Sequence, residues 1–252
     1  MKSRYFGALC WIIALLLSTV VHGAIDGPVI TDRRSIFRKS AEDHASHYFM
    51  ATSAIGLGRR EGYYKNTMVT LNQLGYGITP HLSVNAGIDL FSSFISRGNS
   101  KWFSRVQVHT SISDHFHIGV QAAYMAIPLP VLDAPDLPQY SSNGTFNALG
   151  MITLGDREFN ITFAGGPLHN GDRFARGPLV GVAAMARVAA SVAVITEHWL
   201  VMDPYRNYPI HSIGVRVLGD LLAIDGGIAY DRELAAKVLP IGSPFISATL
   251  NF

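Results

Sequence analysis

The last nine residues, Pro244 to Phe252, read Pro-Phe-Ile-Ser-Ala-Thr-Leu-Asn-Phe. Ile246, Ala248, Leu250 and Phe252 alternate with Ser247, Thr249 and Asn251. Successive side chains of a β-strand point to opposite faces, so this spacing places the apolar set on one side and the polar set on the other. An aromatic final residue is costly to leave in water. The segment is therefore expected to be a strand whose apolar face meets something other than water.

The same alternation recurs along the chain. Segments of barrel-strand length, for which about 9–11 residues suffice to cross a bilayer, are expected near 47–56, 67–77, 82–95, 101–113, 117–126, 145–154, 158–165, 178–189, 191–202, 211–218, 221–230 and 244–252. Tight connections are read at Ile78-Thr79-Pro80-His81, Ser113-Asp114-His115-Phe116, Gly155-Asp156-Arg157, Ala190 and Gly219-Asp220, all rich in turn-forming residues. Between them lie longer connections at 57–66, 96–100, 127–144, 166–177, 203–210 and 231–243. Short and long connections thus alternate, as they do when one end of a transmembrane barrel carries tight periplasmic turns and the other carries extracellular loops. An even strand number returns both ends of the chain to the periplasmic side.

Face assignments agree with this reading. In 101–113, Trp102, Val106, Val108 and Ile112 share a side with Ser104 and Thr110, opposite Lys101, Arg105, Gln107, His109, Ser111 and Ser113. Phe159, Ile161 and Phe163 oppose Glu158, Asn160 and Thr162, while Ile213, Val215 and Val217 oppose Ser212, Gly214 and Arg216. Strand 67–77 is ambiguous, because Asn72 and Gln73 put a polar group on each face. The apolar stretch Leu179 to Val194 could pass for a membrane helix. However, Arg187 near its middle costs about 2.5–3.5 kcal/mol on insertion scales, and the alternation favours two strands with a turn.

Composition fits the same class. The chain of 252 residues is 48% hydrophobic with 24 Gly and 15% charged residues, and its formal net charge of +2 is too small and dispersed to suggest a nucleic-acid partner. Lys2 and Arg4, the apolar run Tyr5 to Leu17, and the small residues ending near Gly23 or Ala24 follow the order of a secretory signal peptide, expected over 1–24. The only cysteine, Cys10, lies inside that run. A processed chain would then have no thiol, which excludes disulfides, zinc–thiolate sites and cysteine nucleophiles. Residues 25–46 carry Asp32, Arg33, Arg34, Arg38, Lys39, Glu42 and Asp43. They are expected to form a polar periplasmic or lumen-plugging lead-in, with the barrel over 47–252.

Two resemblances point to a location. The C-terminal segment resembles the last strand of bacterial outer-membrane β-barrels, which implies that Ile246, Leu250 and Phe252 form a signal for the barrel-assembly machinery. His47-Tyr48-Phe49, Ser53-Ala54-Ile55, Gly62-Tyr63-Tyr64-Lys65-Asn66, Gly75-Tyr76-Gly77-Ile78-Thr79 and Thr196-Glu197-His198-Trp199 are similar to motifs of uncharacterised outer-membrane β-barrel proteins of Bacteroidota-type bacteria. This resemblance implies an outer-membrane barrel and brings no activity with it.

The candidate interior polar residues are Asp89, Arg105, Gln107, His109, Gln121, Asn160, Arg187, Glu197, Arg216 and Asp225, together with Glu158. Buried charges require partners or water. Arg216 and Asp225, on strands joined at Gly219-Asp220, are expected to be neighbours, and Arg187 and Glu197 to meet across a wider diagonal. His109 and Ser111 share a strand face and are weak candidates for a base and a nucleophile. No third residue is identifiable to orient the histidine. Asp43, His44 and His47 read as a solvated loop, with no metal specified, and no cofactor motif is present. The Pro-rich loop 127–144 is expected to fold over the barrel mouth or to contact lipopolysaccharide, another protein or a ligand. Arg173 and Arg176 in 166–177, with Tyr205, Arg206 and Tyr208 in 203–210, are candidates for contacts with lipopolysaccharide and outer-membrane lipid. The expected function is a narrow outer-membrane pore for small solutes, its selectivity set by the interior charges. The alternatives are a closed structural or adhesion barrel acting through its extracellular loops, and a lipid-modifying enzyme using His109 and Ser111.

Overall fold

The computed structural model describes residues 43–90, 101–126, 130–131, 139–140, 144–169, 174–175, 177–202, 207–219, 221–231 and 242–252. The expected signal peptide, most of the lead-in, loop 96–100, most of loops 127–144 and 231–243, and parts of loops 166–177 and 203–210 lie outside these residues. Within loop 127–144, Pro130 pairs with Tyr140 and Val131 with Gln139 in a small antiparallel ribbon.

Twelve strands run Gly62–Thr67 (β1), Leu71–Thr79 (β2), Leu82–Asp89 (β3), Lys101–Ser113 (β4), Phe116–Met125 (β5), Thr145–Gly155 (β6), Phe159–Gly166 (β7), Leu179–Ala189 (β8), Val192–Val201 (β9), Tyr208–Leu218 (β10), Leu222–Asp231 (β11) and Ser243–Asn251 (β12). Each pairs antiparallel with its sequence neighbours, and β12 returns to β1 in the register Tyr63↔Asn251. The main chains of Gly62 and Phe252 exchange hydrogen bonds of 2.7 and 2.9 Å at that seam. Closure leaves no sheet edge to satisfy, which is what lets strands stand in a lipid bilayer.

The barrel is apolar outside and polar inside, the reverse of a water-soluble fold. Leu74, Trp102, Val106, Ile118, Val120, Ile152, Phe163, Val194, Ile213, Val215, Ile224, Ile246 and Leu250 are exposed on the outer wall. Thr153, Asn160, Thr162, Glu197, Arg216, Asp225, Ser247 and Thr249 are buried on the inner one. An apolar band of this extent around a closed wall is the signature of a transmembrane barrel. Leu179 to Val194 forms β8, a reversal at Ala190-Ser191 and the start of β9, as the alternation predicts. In β2 the ambiguity resolves by partner: Gln73 points inward to the Tyr63 hydroxyl, 3.1 Å away, while Asn72 points outward and accepts from Asn66 Nδ2 at 2.9 Å.

Tight turns at Pro80-His81, Asp114-His115, 156–158 and Ala190-Ser191, and the close of β10 on β11 where the Gly219 N–H donates to the Leu222 carbonyl, gather at one end, called here the short-turn end. The Asp156 carboxylate accepts the amide N–H groups of Phe159 at 2.9 Å and Glu158 at 2.8 Å, which lowers its pKa and closes the β6–β7 turn. The opposite end carries the longer connections and one tight turn, Met68 to Thr70. There Met68 (φ 55°) and Val69 (φ 65°) both adopt the left-handed conformation of a two-residue hairpin turn. A β-branched residue is strained in that region, by about 1–2 kcal/mol. The double variant Met68→Asn/Val69→Gly is expected to raise stability by about 1–2 kcal/mol in urea unfolding of the micelle-folded protein. An unchanged midpoint would show that the turn carries no strain.

One expected strand is not a strand. Residues 47–56 enter the barrel, and the first strand is Gly62–Thr67, which the sequence reading places in a loop. The count of twelve survives because one segment replaces the other. The lumen-filling segment therefore reaches beyond residue 46, and the wall begins at Gly62.

Candidate functional site

Asp43–Ser46 form a single 3-10 turn, after which the chain doubles back on itself. His47 bridges to Thr52, the Tyr48 N–H donates to the Ala51 carbonyl at 2.9 Å, and the Ser53 N–H donates to the Ser46 carbonyl at 3.0 Å. The result is a small hairpin with Phe49 and Met50 at its tip. Its stem lies at the short-turn end: His44 meets Asn251 Nδ2 at 3.0 Å, and a Cβ on Gly77 would fall 1.9 Å from the Gly58 carbonyl oxygen. Its tip reaches up the lumen, where Phe49 packs edge-on against Phe245 at 4.7 Å and Met50 is 55% exposed. Two cavities flank the hairpin, of about 10 Å³ beside Asn85, Arg105 and Gln107 and about 20 Å³ beside His44, Glu158 and Arg187. Each has room for one water.

Buried main-chain groups need partners, and the barrel wall supplies them. The Glu197 carboxylate accepts three consecutive amide N–H groups, from Phe49 (3.1 Å), Met50 (3.0 Å) and Ala51 (2.8 Å), and the Trp199 indole N–H at 2.6 Å. Successive amides converging on one anion form a nest. Arg216 Nη1 donates to the carbonyls of His44 (2.7 Å) and His47 (3.1 Å), and its Nη2 to that of Tyr48 (3.3 Å). The other side of the same guanidinium holds Asp225 through Nε at 2.6 Å and Nη2 at 3.1 Å. Lys65 Nζ donates to the Tyr48 and Phe49 carbonyls, both at 3.1 Å, and lies 3.3 Å from Asp225 Oδ2. Arg105 Nη2 reaches the Met50 carbonyl at 3.0 Å, and Gln107 Nε2 the Ser53 carbonyl at 2.7 Å. The Ala54 N–H donates to Thr153 Oγ1 at 2.8 Å. Thr52 donates to Gln121 at 2.6 Å, and the Tyr48 hydroxyl to Asn160 at 2.6 Å.

Lys65, Glu197, Arg216 and Asp225 are each at most 1% exposed. Asp225 pairs with both Arg216 and Lys65, whose remaining donors go to hairpin carbonyls, and the Glu197 carboxylate is held by the hairpin amides and the Trp199 indole. This is the condition under which buried charge is tolerable.

The interior residues read from sequence lie on inward-facing strand positions, except Glu158, which stands exposed in the β6–β7 turn, but they do different things. Arg105, Gln107, Gln121, Asn160, Glu197 and Arg216 hold the hairpin, and Asp225 orients Arg216. Arg187 does not meet Glu197. It lies at the short-turn mouth, 3.5 Å from Glu158 and donating to the Ala190 carbonyl at 2.6 and 3.1 Å. Asp89 stands at the far end of β3, opposite Lys101. His44 and His47, expected in a solvated loop, are each 2% exposed because they belong to the hairpin. Lys65, Tyr48 and Trp199 were not singled out as interior groups by the sequence. The alternation of Tyr63 and Lys65 against Tyr64 and Asn66 is the signal that could have placed Lys65 inside.

His109 and Ser111 are not brought together. Ser111 stands directly across from His117 in the β4–β5 register, and its Oγ lies 2.7 Å from His117 Nδ1. A cross-strand neighbour is nearer than a residue two places along the same strand. The His109 ring instead lies under Gly56, where a Cβ would come within 2.2 Å of it, and Gly56 has φ +65°. Among the described residues no group of three or more His, Cys, Asp or Glu is placed to hold a metal ion.

No protein-family model matches the chain, and no curated protein matches it in sequence. Among solved structures it is similar to the KdgM porin, with a TM-score of 0.51 and 6% identity over 76% of this chain and 98% of that one. It is also similar to the KdgM porin in complex with disordered oligogalacturonate (TM-score 0.48, 6% identity, 76% and 96% covered) and to the NanC porin in a rhombohedral crystal form (0.46, 7%, 76% and 97%). At such identities the likeness concerns the fold, and the fold is that of a porin-type barrel.

Proposed function

We propose that the chain is a channel of the bacterial outer membrane for small solutes, stoppered from the periplasmic side by its own hairpin. The observation that carries this reading is a polar, charged inner wall around a closed twelve-stranded barrel whose outer wall is apolar. The short-turn end is the periplasmic one, by the usual asymmetry of such barrels. Both arms of the hairpin then face the periplasm, and its release leaves a lumen lined by Lys65, Arg105, Glu197 and Arg216. The barrel-assembly machinery and the outer-leaflet lipids are the partners this location requires.

The test is planar-bilayer conductance of the folded protein before and after a specific protease cuts a site inserted between Arg59 and Arg60. Both residues are exposed and lie between the hairpin and β1. The intact protein is expected to give small or rare openings, and the cut protein discrete channels whose ion selectivity changes in an Arg105→Gln variant. A barrel that has lost its hairpin, stays folded and remains silent would exclude the channel.

A further inference from the structure

The hairpin shows what the lumen binds. The wall reaches it chiefly through the main chain: Glu197 and Thr153 take its N–H groups, and Arg216, Lys65, Arg105 and Gln107 take its carbonyls. Hydrogen bonds from wall side chains to hairpin side chains are few, those of Tyr48 and Thr52 being the clearest. Groups that read amide N–H and carbonyl oxygen, and not side-chain identity, are satisfied by any polypeptide of similar course.

Resting on the channel reading, we infer that the lumen is a peptide-binding passage: short peptides are its solutes, and the hairpin is a tethered occupant of their site. The wall offers acceptors at Glu197 and Thr153 and donors at Arg216, Lys65, Arg105 and Gln107, the two kinds of partner that the N–H and C=O groups of a main chain need. An acidic oligosaccharide fits less well, because its carboxylates find Lys65, Arg105 and Arg216 but it has no N–H donors for Glu197 and Thr153. A neutral oligosaccharide has no cluster of consecutive donors fixed as the amides of Phe49, Met50 and Ala51 are around Glu197. Tethering gives the hairpin a high effective concentration, so a free peptide competes only when the hairpin is loosened.

The experiment uses the full chain folded in micelles, with the cleavable site between Arg59 and Arg60. After cleavage and removal of the hairpin, a fluorescent hexapeptide of alternating Ala and Ser with blocked ends is titrated by anisotropy. Unlabelled hexapeptide, maltohexaose and an acidic hexauronide compete against it. Saturable peptide binding is expected, with the peptide competing about tenfold or more better than either sugar. Glu197→Gln is expected to weaken the peptide by about tenfold and leave the sugars unchanged. Equal or better competition by a sugar would overturn the inference. So would rebinding of a synthetic peptide of residues 43–58 with no binding of the Ala-Ser hexapeptide, since the wall would then serve one segment alone. If the cut barrel unfolds or retains its hairpin, a variant lacking 43–58 is titrated in the same way. Conductance without peptide preference would leave the channel standing, whereas peptide binding in a silent barrel would leave the site and remove the channel.

Discussion

Replacing Arg216 with alanine is expected to lower barrel stability by about 3 kcal/mol and to set the hairpin free. Arg216 is fully buried, and its guanidinium holds Asp225 on one side and the carbonyls of His44, His47 and Tyr48 on the other. Removing one member of a buried pair strands the other, at about 3–5 kcal/mol. The low end applies, because Lys65 Nζ remains 3.3 Å from the Asp225 carboxylate and Ser247 Oγ still donates to it at 3.1 Å. Urea unfolding in micelles measures the stability, and amide hydrogen exchange at Tyr48 and Ser53, whose N–H groups close the hairpin, measures the hairpin.

The double variant Arg216→Met/Asp225→Leu separates the two roles. Removing both charges together avoids the stranded carboxylate but leaves the Lys65 ammonium on the Tyr48 and Phe49 carbonyls alone, so barrel stability is expected to recover only part of the loss. The hairpin carbonyls still lack their donor, so amide exchange in the hairpin stays fast. If both variants leave the hairpin protected, Arg216 is only one half of an ion pair and the clasp lies elsewhere.

The wall was legible from sequence because each lipid-facing position must be apolar and each neighbour need not be. β4, β7 and β10 show that contrast at nearly every step, and the Gly219-Asp220 turn placed Arg216 and Asp225 opposite each other, as they are. The stopper was not legible, for a physical reason. Tyr48, Phe49, Met50 and Ile55 resemble a strand's apolar set, and nothing local distinguishes a segment that joins the wall from one that lies inside it. The choice is made by Glu197 and Lys65, whose partners are main-chain groups and leave no trace in residue type. Gly62 to Thr67 misled in the opposite direction. A lysine in a short segment reads as loop until the carbonyls of Tyr48 and Phe49 are seen to meet it.

Glu197→Gln is expected to shift the hairpin toward its released state by about a hundredfold. The carboxylate offers acceptor sites on both oxygens to four N–H donors, with Ala51 and Trp199 on Oε1 and Phe49 and Met50 on Oε2. Glutamine keeps one oxygen and turns an NH₂ group toward the other two donors. Hydrogen bonds to a charged group contribute about 1.5–3 kcal/mol each, so losing two of them, partly offset by water entering from the exposed tip, leaves a cost of about 3 kcal/mol. At 1.4 kcal/mol per factor of ten, that is about two orders of magnitude in the closed-to-open ratio. Amide hydrogen exchange at Phe49, Met50 and Ala51 is expected to accelerate by this factor, and channel openings to become correspondingly frequent. Trp199→Phe removes one donor and leaves the carboxylate on the three amides, so its effect is expected to stay below about tenfold. Unchanged exchange in Glu197→Gln, or an equal effect of Trp199→Phe, would move the latch from this carboxylate to the arginine and lysine contacts on the hairpin's other side.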